Sequence, residues 1–353
     1  MYMKNPTSFF FLFPLFLLSV SAASAVVAQD TMRYSGPILD MHLHAEEAHS
    51  PPVALCPPFE DLPLRDPSKT YSWATMLEAY TDPECADPVK SPETDEGVMR
   101  ETIAIMERRN VFGVLSGSPD RVAEWMSAAP DRFIPGLDFW VKEGPSPDSL
   151  RSLYERGALA VLGEVLNQYY GITPDDERME PYWALAEELD IPVGIHIGKG
   201  APGVIYLGAR DYRAHLYSAL TLEEVLVRHP RLRVYIMHAG YPMLDDLLSL
   251  MHAHPQIYVD IAVLAWAEPR AGFYRYLKAI IDTGFGERVM FASDQRVWPG
   301  MIDVSIATIE EAPFLSADRK QDIFYNNAAR FLRLSDEEIA RHHNMARQAD
   351  GER

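Results

Sequence analysis

Eight short, almost uninterrupted apolar runs recur along this 353-residue chain, and they constrain its fold more than any other feature. They cover 37–42, 111–115, 133–137, 158–164, 192–196, 232–238, 257–261 and 289–294. Runs this short and continuous predict strands buried on both faces, because a half-buried strand alternates apolar with polar residues. Stretches with helical spacing separate them, around 93–109, 122–128, 150, 182–189, 222–228, 243–251 and 274–281. Strand and helix in strict alternation predict a parallel sheet, and eight repeats predict that the sheet closes on itself. The expected fold is therefore α/β, a single-domain (β/α)8 TIM barrel over 34–335 with a long loop insertion after its first strand. An open doubly wound sheet is the competing architecture, but no glycine-rich phosphate loop follows the first run.

The insertion spans roughly 45–91, and its many prolines, from Pro51 to Pro88, forbid long helices and central strands there. Both cysteines of the chain, Cys56 and Cys85, fall inside it. Residues 1–28 read as a secretory signal peptide: Lys4, an apolar core over 9–18, then small residues ending at Ala25 or Ala28. That core is short for a membrane span, which needs ~20 apolar residues. The chain is thus expected to be exported, to a periplasm or as a secreted protein. In such an oxidising compartment two cysteines in one loop are expected to form a disulfide bond. Beyond Leu334 the chain becomes charged, and 336–353 is expected to be a tail of fraying helix.

Acidic residues outnumber basic ones by 51 to 32, a net charge of −19. Such a field repels phosphate backbones and anionic lipids. With no basic patch among aromatics, nucleic acid is excluded as a partner, and no stable membrane insertion is expected after signal removal. A small molecule, anionic in one version, is the expected partner, and a homo-oligomer is left open.

In a barrel of this kind the reacting groups sit where strands end. The predicted strand ends carry His42 and His44, Glu164, His196, His238 and Asp294. Strand side chains alternate, so His42 and His44 point the same way. Imidazole and carboxylate suit zinc and related divalent ions. Any one of these residues alone is more often structural; their recurrence at strand ends one, four, five, six and eight makes a metal site the expectation.

The segments Leu39-Asp40-Met41-His42-Leu43-His44, Gly194-Ile195-His196, Ile236-Met237-His238-Ala239-Gly240 and Phe291-Ala292-Ser293-Asp294 resemble the metal motifs of the amidohydrolase superfamily, most of all its amidohydrolase-related branch. The stretch 324–332, with Asn326-Asn327-Ala328, is similar to the terminal helix of that branch. The resemblance spans about 37–334. It implies that His42, His44, His196, His238 and Asp294 are metal ligands or catalytic groups. Many binuclear members bridge two ions with a carboxylated lysine on strand four; here Gly163-Glu164 resembles the bridging glutamate of other subgroups. In the decarboxylases of the branch the resemblance implies one ion, with the strand-six histidine, here His238, catalytic. One ion or two is left open, and zinc is the expected metal.

A bound divalent ion lowers the pKa of its water to ~7 and polarises a carbonyl. The leading expectation is a hydrolase cleaving an amide, lactone or ester, with Asp294 as general base and His238 as ligand or charge stabiliser. A metal-dependent decarboxylase is the second reading, and a ligand-binding barrel without turnover the third. Lys199, Tyr206 and Arg210, with Arg213 and His215 nearby, follow strand five; Gln295, Arg296 and Trp298 follow strand eight. Of these, Lys199, Arg296, Tyr206 and Arg210 are expected to bind substrate, since cations at the mouth of an acidic protein suit a carboxylate or phosphate. Tyr71 and Trp73 are expected to line an apolar wall or pack the insertion down.

Overall fold

A computed structural model describes residues 33–62, 64–80 and 85–351. The expected signal over 1–28 lies outside the described residues. The strands are β1 (Ile38–His44), β2 (Ala54–Leu55), β3 (Val89–Lys90), β4 (Val111–Ser116), β5 (Phe133–Phe139), β6 (Val161–Val165), β7 (Val193–His196), β8 (Val234–Met237), β9 (Tyr258–Asp260) and β10 (Val289–Met290). Eight of them form one parallel sheet in the order β1-β4-β5-β6-β7-β8-β9-β10. Its two edges meet: Met41 N–H donates to the Phe291 carbonyl (3.0 Å) and Asp294 N–H to the His42 carbonyl (2.9 Å). Helices lie between successive strands. The result is a nearly closed TIM barrel, as the alternation of runs predicts.

Several strands differ from expectation in length, β6 and β10 among them. β6 begins at Val161 rather than 158, because Ala158 N–H still closes the preceding helix onto the Leu153 carbonyl (2.9 Å). β10 is only two residues long; the Phe291 N–H turns away to the Ile323 carbonyl (2.9 Å). The chain beyond it is therefore free to bend, and Asp294 and Arg296 adopt left-handed φ values of 50° and 47°.

Two apolar layers flank the strands. Ile38, Leu43, Val111 and Leu115 face the surrounding helices, while Leu39, Met41, Phe112, Val114, Tyr235 and Met237 fill the barrel. Met41 belongs to that interior while its neighbour His42 faces the same side, which a regular pleat forbids. The pairing of β1 with β4 shifts register between Asp40 and Leu43, and such an irregularity re-aims a side chain. Within the barrel, Gly194 makes room for Tyr235: a Cβ there would stand 2.5 Å from the phenol oxygen, which donates to the Met41 carbonyl (3.0 Å).

The insertion is more ordered than its prolines suggest. β2 and β3 pair antiparallel, a helix covers Trp73–Tyr80, and a disulfide joins Cys56 to Cys85 with Cα atoms 6.1 Å apart. Tyr71 packs the insertion down, its hydroxyl donating to the Pro202 carbonyl (3.0 Å). Trp73, expected to do likewise, is half exposed, since it opens its helix on the outer side.

The C-terminal tail does not fray from its start. Helix Asp336–Gly351 buries His342, which stacks on Phe112 with ring centroids 3.9 Å apart. Its Nδ1 lies 2.9 Å from the Tyr325 hydroxyl. Among the described side chains of this helix, Asp336, Glu337 and Arg341 are exposed.

Candidate metal centre

The end of each contributing strand delivers one or two polar groups into a buried ring centred on Glu164. Glu164 Oε1 lies 2.5 Å from His196 Nδ1 and 3.2 Å from His238 Nε2. Its Oε2 lies 3.6 Å from His42 Nε2 and 3.7 Å from His44 Nε2. His44 Nε2 is in turn 3.2 Å from Asp294 Oδ1. All six residues expected at the strand ends thus come together, and all are buried.

A seventh group was missed from the sequence. Asp260, at the end of β9, lies with Oδ2 3.3 Å from His42 Nδ1. Its Oδ1 accepts the backbone N–H of His238 (2.8 Å) and of Ala262 (3.1 Å). The signal was available: a carboxylate closing the seventh apolar run obeys the same strand-end rule as Glu164 and Asp294. Asp40 holds the seam beside it, its Oδ1 accepting from His42 N–H (3.0 Å) and Ser293 N–H (3.1 Å). Burial pushes the Asp40 carboxyl up to about 7.

Electrostatics within the ring is mutual. Burial works against a charged His42, yet Asp294, Asp260 and Glu164 hold its pKa well above the usual histidine value. Burial likewise disfavours ionised Glu164, but the surrounding histidines, His196 first, keep its pKa well below the usual carboxylate range. Asp294, also opposed by burial, is held low by His42, His44 and Arg296. Burial and neighbouring His238 push His196 down.

These residues fit a divalent cation. His42 Nε2, His196 Nε2 and Asp294 Oδ1 are buried without a hydrogen-bond partner. Orphaned buried polar atoms are costly and call for an explanation. Three overlapping triads converge: His42, His44 and Asp294; His42, His238 and Asp260; Glu164, His196 and His238. Imidazole nitrogens mixed with carboxylate oxygens are the donor set of zinc and of harder divalent ions such as manganese. Holding His238 and Asp294 in left-handed backbone, at φ 62° and 50°, costs of order 1–3 kcal/mol each, a feature that clusters at functional sites.

The substrate residues expected from the sequence divide. Arg296 reaches the ring: its Nη1 lies 3.4 Å from His44 Nε2 and 4.0 Å from Glu164 Oε2, and it is ion-paired with Glu46, a second residue the sequence did not single out. Gln295 pins β1, donating to the His44 carbonyl (2.7 Å) and accepting its N–H (3.1 Å). Lys199 instead pairs with buried Glu268 and lies over the Tyr241 ring at 4.9 Å, because the loop after β7 turns it away from the histidines. Tyr206 and Arg210 do not join the ring either. They are exposed and line an open depression with Arg65, whose guanidinium stacks on Tyr206 at 4.1 Å. Arg213 donates to the carbonyls of Arg210 and Tyr212 (both 2.8 Å), His215 is exposed, and Trp298 fastens the insertion by donating to the Val53 carbonyl (3.0 Å).

Fold and site together define a metal-binding (β/α)8 barrel enzyme. The family model for amidohydrolases matches residues 39–334, and the chain belongs to that family. A γ-resorcylate decarboxylase from Rhodococcus jostii (strain RHA1) is 26% identical over 268 residues, 65% of this chain and 80% of that protein. Among solved structures, a probable 2-pyrone-4,6-dicarboxylic acid hydrolase from Acinetobacter baumannii superposes with a TM-score of 0.54 at 14% identity, over 84% of this chain and 99% of that one. A 5-carboxyvanillate decarboxylase from Novosphingobium aromaticivorans, a manganese-bound structure, gives a TM-score of 0.50 at 16% identity, over 66% and 80%. At these identities the structural likeness shows the fold alone. The expected hydrolase activity is overturned by the sequence relationship, which leads to decarboxylases. Glu164 misled because a carboxylate on strand four suggests two bridged ions. In the structure its oxygens are spread across four histidines, a geometry that does not require hydrolysis.

Proposed function

We propose that this protein is a metal-dependent decarboxylase of aromatic carboxylates that carry a hydroxyl beside the carboxylate. The observation that carries the reading is the likeness to γ-resorcylate decarboxylase over 80% of that enzyme's length, in a chain that assembles the histidine–carboxylate ring. His42, His44, His196, Asp294 and, from the same buried ring, Glu164 are the residues that would hold the ion, with Asp260 orienting His42. Bound there, a divalent ion supplies a Lewis acid that anchors the substrate's oxygen atoms. Zinc and manganese both suit these donors, and elemental analysis distinguishes them.

The reaction exchanges a carboxylate for a proton on one ring carbon. The bond from ring carbon to carboxylate carbon breaks, its electron pair stays on the ring, a C–H bond forms, and carbon dioxide leaves. One proton is consumed per turnover. Asp294 is the group assigned to carry it, on the carboxylate oxygen that a bound ion would leave free. Arg296, beside His44, would take the departing carboxylate. Burial disfavours a charged His238, and Glu164 raises its pKa against that burial.

The test is direct. Metal-loaded protein in deuterated buffer, given 2,6-dihydroxybenzoate and a panel of other hydroxybenzoates, should release carbon dioxide and yield a product deuterated at the vacated position. Asp294→Asn should lose turnover by roughly the 10²–10⁴-fold attributed to positioned proton transfer. Absence of carbon dioxide from every member of the panel refutes the reading.

A further inference from the structure

Directly after β6, the turn Asn167–Tyr170 places Tyr169 beside the metal centre. Its neighbours in sequence are fasteners. Asn167 Nδ2 donates to the Ile172 carbonyl (2.6 Å), and Gln168 Nε2 donates to the Gly198 carbonyl (2.6 Å) while its Oε1 accepts the Gly198 N–H (3.3 Å). The turn is thereby locked to the loop that follows His196. The Tyr169 ring is clamped by three others, with centroids 5.0 Å from His196, 5.1 Å from Tyr212 and 5.2 Å from Trp140.

Two hydroxyls meet here and differ in what they do. That of Tyr212 is used by the backbone: it accepts the Gly200 N–H (2.5 Å) and donates to the Gly198 carbonyl (2.9 Å). Among the described residues, no group hydrogen-bonds the Tyr169 hydroxyl. Space for it is kept by Gly200, where a Cβ would stand 2.9 Å from its oxygen. The side chain is partly accessible, and the charges acting on its phenol are those of the site: Glu164, Arg296 and Asp294. A rigidly held, unspent donor thus borders the ring of candidate ligands.

We propose that Tyr169 is a substrate-positioning and specificity residue, its hydroxyl donating a hydrogen bond to the oxygen substituent next to the substrate's carboxylate. This rests on the decarboxylase reading. The division of labour is chemical. Arg296, a cation, suits the full charge of the carboxylate. The neighbouring ring oxygen must release electron density to the carbon being protonated, and a neutral phenol holds it while withdrawing less than a cation would. Trp140 and Tyr169 also offer aromatic surface to a planar ring.

Tyr169→Phe in the metal-loaded protein separates this role from a structural one. Calorimetric Kd values are measured for 2-hydroxybenzoate and for benzoate, with metal content and Tm as controls. Losing a hydrogen bond to a charged or strongly polarised oxygen should weaken 2-hydroxybenzoate by roughly 10-fold or more and leave benzoate within about 2-fold. An equal loss for both ligands, or none for 2-hydroxybenzoate, overturns the proposal. Turnover of wild-type protein on hydroxybenzoates is read separately. Inactive wild type with intact discrimination by Tyr169 removes the decarboxylase reading alone; active wild type with no discrimination removes this one alone.

Discussion

Asp260→Asn is a sharp test of how the metal centre is built. The substitution is nearly isosteric and keeps Oδ1, so the two backbone N–H groups of His238 and Ala262 remain satisfied and the β9 terminus should hold its shape. What changes is the atom 3.3 Å from His42 Nδ1. A carboxylate oxygen there holds the proton on Nδ1 and leaves the Nε2 lone pair facing Glu164 and the ring. An amide NH2 donates instead, which moves the proton to Nε2 and blocks that lone pair. Carboxylates that orient a ligating histidine are worth about 10–100-fold in metal affinity, or about 1.4–2.7 kcal/mol. Competition titration against a chelator should therefore show that loss, with Tm of the metal-free protein nearly unchanged. Unaltered affinity in a folded variant would refute the role assigned to Asp260. Complete loss of binding would instead make it a ligand.

Two further outcomes follow from the packing. Gly194→Ala places a methyl 2.5 Å from the Tyr235 oxygen and from Met237 Cε inside the barrel; overpacking of this kind costs about 1–3 kcal/mol, read as a lowered Tm. His342, buried against Phe112, has its pKa pushed down to about 4 by burial, with Arg341 adding to it. A histidine whose folded pKa lies below its unfolded value binds fewer protons when folded, so its contribution to stability is present above about 6.5 and is lost as pH falls towards 4. Tm should drop over that window, and His342→Leu should flatten the drop; an unchanged profile would show that other groups cause it.

The strand ladder was legible in the sequence because a strand buried on both faces leaves an unbroken apolar run. His42, His44, Glu164, His196, His238 and Asp294 were legible because each closes such a run. Asp260 closes one too, and was passed over because a lone carboxylate in Tyr258-Val259-Asp260 carries less weight than a histidine pair. Tyr169 and Glu46 lie beyond their strand ends, in loops whose path no periodicity reveals. Lys199 and Arg210 are near the site in sequence and not in contact with it, since a loop of that length reverses direction several times. Hydrolysis against decarboxylation was not legible either. The same imidazoles and carboxylates serve both, and what distinguishes them is the wall facing the substrate.

The barrel seam has a consequence for how the protein acquires its activity. His42 and His44 come from the first strand and Asp294 from just beyond the last, joined by the Asp294–His42 and Met41–Phe291 backbone bonds and the Asp40–Ser293 contact. Groups some 250 residues apart in sequence thus form one clasp, and a contact so distant is expected to be among the last to form in folding. An ion bound across it favours the closed ring over any form with parted edges. Metal affinity in this protein is therefore also a measure of how tightly the cylinder is shut, and a substitution that loosens the seam far from any ligand should register first as a leak of metal.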